Sequence, residues 1–155
     1  LPTLQNSGLG TAMKNHQKQW GLDAGLSAIT WTFDPLVRRN AWFNIERLGA
    51  KAVEFHVNFY GPLNDDINGD DETDRLLARW DIGTDRVRGN ETDSLVLQTP
   101  EDIVQLRRSD QTSARAWRLN MREQLSRAFQ THEVTGFTKD GSYVLTPRHT
   151  TKGQS

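Results

Sequence analysis

The stretch Gln5-Asn6-Ser7-Gly8-Leu9-Gly10 stands directly ahead of a predicted helix and has the residue types of an anion cradle. A helix N-terminus offers unpaired N–H groups and a partial positive charge. Glycines there let the backbone approach a ligand with no Cβ in the way. Together they can hold a phosphate or a pyrophosphate. The same glycine pair is also ordinary turn chemistry. No Gly-Lys-Ser/Thr follows, so the loop is not a P-loop, and no third glycine completes a dinucleotide fingerprint.

A second group lies on one side of a predicted strand over 53–60: Glu54, His56, Asn58 and Tyr60. A carboxylate or imidazole there could deprotonate an amine, directly or through water, and Tyr60 could act as an acid. The same four residues also suit the polar, solvated face of a half-buried strand. Asp65, Asp66, Asn68, Asp70, Asp71 and Asp74 form an acidic loop that begins like a calcium-binding loop. Its sixth position is Asp71 and its twelfth is Leu77, where an EF-hand needs Gly and Glu, so a solvated loop is expected. Asp74 followed by Arg75 is read as an ion pair anchoring that loop. His16, His56, His132 and His149 lack ligand spacing, and no metal is expected. Arg107, Arg108, Arg115, Arg118, Arg122 and Arg127 give the later helices a basic side that suits either a phosphate or solvent.

Periodicity supplies the elements that must position these groups. Leu9, Met13, Trp20 and Ala24 mark the inward face of a helix over 8–24, stopped by Gly25. Residues 26–33 read as a buried strand. Asp34 is placed to cap a helix over 36–48, with Pro35 at its first position and Gly49 at its end. Residues 53–60 and 76–82 alternate as partner strands. Residues 83–93 read as a linker. A strand at 95–97, helices at 101–108 and 111–131, and a hairpin of 134–138 with 142–145 around Lys139-Asp140-Gly141 complete the chain. The expected organisation is therefore 1–82, a linker 83–93, an α/β extension 94–146 and a flexible tail 147–155.

Composition narrows the function classes. Nineteen Lys and Arg against 20 Asp and Glu give a formal charge of −1, so nothing favours a nucleic-acid or anionic-membrane partner. There is no cysteine, hence no disulfide, thiolate metal site or Cys nucleophile, which is consistent with a cytoplasmic protein. No apolar run approaches the roughly 18 residues of a membrane span. The chain opens on Leu1 rather than Met, with the glycine motif within ten residues, and is read as a processed or truncated product.

The loop matches the Q/R-x-x-G-x-G/A signature of the GNAT superfamily of N-acetyltransferases. Trp31-Thr-Phe-Asp-Pro-Leu36, Arg39-Asn-Ala-Trp-Phe-Asn44, Leu48-Gly-Ala50, Asn58-Phe-Tyr-Gly61, Asp74-Arg-Leu76 and Trp80 resemble a little-characterised branch of it, as do Ala116-Trp-Arg118, Arg122, Gly136-Phe137 and Tyr143. The resemblance spans about residues 4–145 of the chain. It implies the C-terminal half of a GNAT-type mixed α/β sheet with flanking helices, followed by a small α/β extension. It further implies an acyl-CoA held between two splayed parallel strands. The pyrophosphate would lie on Gln5, Asn6, Ser7, Gly8, Leu9, Gly10 and Thr11. The pantetheine would pair along strand 28–33, and Asn40 would be a further contact. The implied activity is transfer of an acetyl group from acetyl-CoA to an unidentified amine, on a small molecule or a protein.

Two departures from the family pattern stand out. The Tyr that many of these enzymes place four residues before the helix-ending glycine, to protonate the leaving thiolate, is here Ile45. Tyr60, Glu54 and His56 are then the candidate catalytic residues. The helical pair and four strands that precede the loop in the family are absent, so the chain should either self-associate or meet a separate first half. A non-catalytic scaffold or interaction module is the alternative reading. Strand 28–33 is expected inside a sheet, because Ala28, Ile29, Trp31 and Phe33 are apolar. Its edge would be covered by a second copy, by the C-terminal extension or by another polypeptide.

Overall fold

The computed structural model describes residues 9–59, 73–84 and 92–148. Helix α1 (Leu9–Asp23) leads into strand β1 (Ala28–Phe33). A short α2 (Arg38–Ala41) continues directly as a π-helical turn, Trp42–Arg47. Strands β2 (Lys51–His56), β3 (Arg75–Asp81) and β4 (Leu95–Gln98) follow. Helices α3 (Ile103–Ser109) and α4 (Gln111–Ala128) then precede the hairpin β5 (His132–Phe137) and β6 (Ser142–Pro147). The six strands form one sheet in the order β1-β3-β2-β5-β6-β4, and every recorded pairing is antiparallel. The fold is therefore α/β, with an antiparallel sheet and flanking helices. Among the described residues no helix is long and apolar enough to cross a membrane.

The alternation of β3 is realised in full: Leu76, Ala78, Trp80 and Ile82 are all buried. Opposite them on β1, Phe33, Trp31 and Ile29 pair with Leu76, Ala78 and Trp80, so the apolar face continues across both strands. β1 is nevertheless an edge strand, paired with β3 alone among the described residues, and not the sheet interior expected. Its bulky residues all share one face, while Thr30 on the other is exposed. The later strands do not cover this edge. They extend the sheet from its far side, beyond β2.

The β2–β5 seam that joins the two groups of strands has a single register pair, Ala52 with Val134. Side chains complete it. Glu46, from the π turn, accepts the Phe137 N–H at 2.9 Å. Arg148 donates to the Val53 carbonyl at 2.9 Å, beside the bulge that shifts β2 between Ala52 and Glu54. Backbone groups left open where the strands diverge are thus satisfied by charged partners.

Several local expectations need correction. Asp34 does not cap α2. It accepts the Leu36 N–H at 3.0 Å in an Asx turn and pairs with Arg107 at 2.8 Å, and the helix starts later, at Arg38. Pro35 therefore lies outside it. β2 ends at His56 rather than 60, because the chain turns at Asn58 (φ 50°), leaving Val57 and Phe59 largely exposed. Asp74 pairs with Arg122, through two bonds of 2.9 and 3.0 Å. The acidic loop before it and the linker core 85–91 lie outside the described residues.

Gly25 ends α1 as expected, at φ 80°. Leu26 N–H reaches the Gly21 carbonyl and Gly25 N–H the Leu22 carbonyl, the paired bonds of a Schellman stop. The face that α1 turns inward is not the expected one. Met13 and Trp20 are 64% and 63% exposed, and Ala24 is exposed as well. Thr11, Lys14, Lys18 and Gly21 face the protein instead. Gly21 explains the choice, since a Cβ there would stand 2.8 Å from Ile82 Cδ1. With the helix this close, the Lys14 ammonium lies 3.7 Å from the Trp31 ring centroid, and Lys18 stands over Trp80.

Tyr143 is fully buried and donates to the Pro35 carbonyl at 2.6 Å. Burial, with the Asp34 carboxylate nearby, pushes its phenol well above the ordinary value. In the unfolded chain the phenol ionises near pH 10. Tyr143 therefore contributes stability that is fully present below about pH 10 and lost as pH rises beyond it. Tyr143→Phe should flatten this alkaline decline. At neutral pH it should cost about 1–3 kcal/mol, because a buried carbonyl loses its donor. Urea midpoints measured from neutral to strongly alkaline pH check both effects.

Candidate functional site

The first turn of α1 and the edge of β1, unpaired among the described residues, are the two features on which an acyl-CoA reading depends. Of the proposed pyrophosphate loop, Gln5, Asn6, Ser7 and Gly8 lie outside the described residues, and Leu9 is described in its backbone alone. Gly10 is exposed, and a Cβ built on it would meet the Phe43 ring at 3.4 Å. That is ordinary contact, so packing alone does not require a glycine at this position. The Thr11 hydroxyl is buried and has no hydrogen-bond partner among the described residues. A buried hydroxyl in that state is costly until something bonds to it.

From α1 the chain passes through β1 to α2, where Asn40 projects into solvent. Ile45, at the family's usual Tyr position, is wholly buried in the π turn and carries no proton to give. Asn44 beside it is also buried and accepts the Trp31 indole N–H at 3.3 Å. It ties the turn to β1, so its role in the structure is positional.

Glu54 and His56 are brought together on β2, 2.9 Å apart. The Phe59 ring stands edge-on to the imidazole, with centroids 5.6 Å apart. Both side chains are well exposed, and Tyr60 lies outside the described residues. β3 separates β2 from β1, which puts the pair two strand spacings, about 10 Å, from the β1 backbone. That distance needs a chain of waters or the length of a substrate to connect them.

A cleft of about 260 Å³ opens between α1, the Gly49 turn and the ends of β2 and β3. Asn15, Lys18, Lys51 and Arg79 line it, with Asp81 as its carboxylate. None of the catalytic or cofactor-binding residues expected from the sequence lies there. A smaller cavity of about 10 Å³, roughly the space of one water, is walled by Asp34, Arg107, Asp74 and Arg118. The basic side expected of the later helices is thus partly turned inward. Arg107 and Arg122 are held by Asp34 and Asp74, and Arg118 is buried. Among the described residues no His, Asp and Glu side chains converge as a metal site. The chain matches no protein-family model, no curated protein and no solved structure.

Missing from the sequence reading were the inward lysines of α1 and the Asp74–Arg122 pair. Gly21, spaced with Lys14 and Lys18 on one helical face, was the available signal for the first. The second joins residues 48 apart and left no local signature.

Proposed function

We propose that the chain binds an acyl-CoA, with its pyrophosphate at the first turn of α1 and its pantetheine along the open edge of β1. The reaction this serves is transfer of the acetyl group to an amine of a small molecule or protein. The observation that carries the reading is the edge of β1, unpaired among the described residues, on a strand that follows directly on a helix opening with Gly10 and Thr11. An extended chain with amide groups can add to such an edge like another strand. The Thr11 hydroxyl, without a partner among the described residues, supports it, since an anionic oxygen at the helix N-terminus would supply one.

The chemistry asks less of this chain than the family pattern does. With Ile45 inert, protonation of the thiolate falls to Tyr60 or to water. Glu54 and His56 are the groups available to take the amine proton through water. A second reading, a non-catalytic scaffold, is favoured by the exposed Met13 and Trp20 on α1 and by the missing acid.

Calorimetry with acetyl-CoA separates the two. Gly10→Ala adds a methyl that only touches the Phe43 ring, so the fold should survive, while ligand approach is obstructed. Affinity should fall at least about tenfold, with the thermal midpoint nearly unchanged. Equal affinity in the folded variant refutes the placement, and no heat with the unaltered chain favours the scaffold.

A further inference from the structure

Edge strands are normally guarded by a charge, a proline, a bulge or a covering segment. β1 has none of these among the described residues. Its six residues, Ala-Ile-Thr-Trp-Thr-Phe, are uncharged, and their register with β3 runs unbroken. The outer face of α1, Met13 through Gln17 to Trp20, is also free of formal charge and exposed. The residues of β1 itself bring no like charges face to face across such an edge, and Lys14 is drawn in over the Trp31 ring of its own copy. We infer that this edge pairs with the same edge of a second copy of the chain, antiparallel, about a two-fold axis at Trp31.

The sequence of β1 suits that pairing. Residues facing one another across an antiparallel ladder point to the same side of the sheet, so partner numbers must sum to an even value. With Trp31 opposite itself, Ile29 meets Phe33 and Thr30 meets Thr32. These are an aromatic pair, an aromatic–β-branched pair and Thr–Thr pairs, the cross-strand combinations that stabilise sheets. Each face stays continuous: Ile29, Trp31 and Phe33 extend the side that carries Leu76, Ala78 and Trp80 of β3. A strand that complements itself in this way meets the condition for a closed, isologous dimer. The opposite edge, β4, has four residues rather than six. Joining it to β1 would give an open chain of molecules instead.

The inference does not rest on the acyl-CoA reading. The two occupants want the same edge, so sedimentation is run without nucleotide, and a failure to bind acetyl-CoA leaves its result untouched. At micromolar concentration the chain should sediment at twice its 17.6 kDa mass. Thr30→Lys, on the exposed face, should return it to a folded monomer with an unchanged circular-dichroism spectrum. Mixing Thr30→Lys with Thr32→Glu chains should restore the dimer, because those positions face each other across the axis. Val96→Lys on β4 should leave the dimer intact. A monomeric unaltered chain, a dimer insensitive to Thr30→Lys, one dissolved by Val96→Lys, or no recovery in the mixture would each overturn the proposal.

Discussion

Arg122→Met is expected to destabilise the protein by about 3 kcal/mol, the lower end of what breaking a buried ion pair costs. Asp74 keeps only 5% of its side chain exposed and Arg122 keeps 23%, so solvent screens the cation but hardly reaches the carboxylate. Removing the guanidinium strands that carboxylate with the Asn58 N–H as its remaining recorded partner. Arg122→Lys should recover less than half of the loss, because an ammonium cannot repeat the two-point contact. Asp74→Leu combined with Arg122→Met should recover more, yet stay short of the starting stability, since Asn58 would then lose its acceptor. Urea midpoints of the four proteins give the comparison. A cost for Arg122→Met as small as that of an exposed pair, under about 1 kcal/mol, would contradict the burial argument.

Gly141→Ala should be at least as damaging, at about 3 kcal/mol or more. Gly141 closes the β5–β6 turn at φ 91°, where a side chain is strained by about 1–3 kcal/mol. The Arg38 guanidinium occupies the space a Cβ would take. Displacing it breaks its bonds to the Thr99 hydroxyl at 3.0 Å and carbonyl at 2.9 Å. Charge-assisted bonds of this kind contribute about 1.5–3 kcal/mol each. Once Arg38→Ala has removed the obstruction, Gly141→Ala should cost only the backbone strain. The shortfall from additivity measures the steric part. Additive effects in the double variant would show that Arg38 and Gly141 do not meet.

How far the sequence could be read differs from element to element. The alternation of Leu76, Ala78, Trp80 and Ile82 predicts a strand with one buried face, and all four are buried. Lys139-Asp140-Gly141 predicts a turn between two strands, with Gly141 at the positive φ that this residue permits. α1 was legible as a helix but not in its orientation. Periodicity marks an apolar stripe without saying whether this chain supplies anything to cover it, and here a glycine and two lysine stems set the contact. β2 was read too long because alternation through Phe59 carries no sign of the bulge after Ala52 or of the turn at Asn58. The basic helical face hid two ion pairs whose acidic members are distant in sequence, and only folding brings them together. For the candidate site, residue types were legible and geometry was not. Nothing in the sequence separates Glu54 and His56, adjacent on an exposed strand end, from a pair facing a substrate.

Hydrogen exchange at β1, with and without acetyl-CoA, tests the central claim most directly. The unaltered chain and Thr30→Lys are compared, so that ligand and second copy are told apart at one edge. If the pantetheine adds along β1, saturating acetyl-CoA should slow exchange of amides within 28–33 and in the first turn of α1 of the monomeric Thr30→Lys variant, whereas in the unaltered chain, whose β1 edge the second copy already pairs, the slowing should be confined to the first turn of α1. Amides of β4, the opposite edge, should be unaffected. Unchanged exchange in both segments at ligand concentrations that saturate any measurable binding would contradict the account.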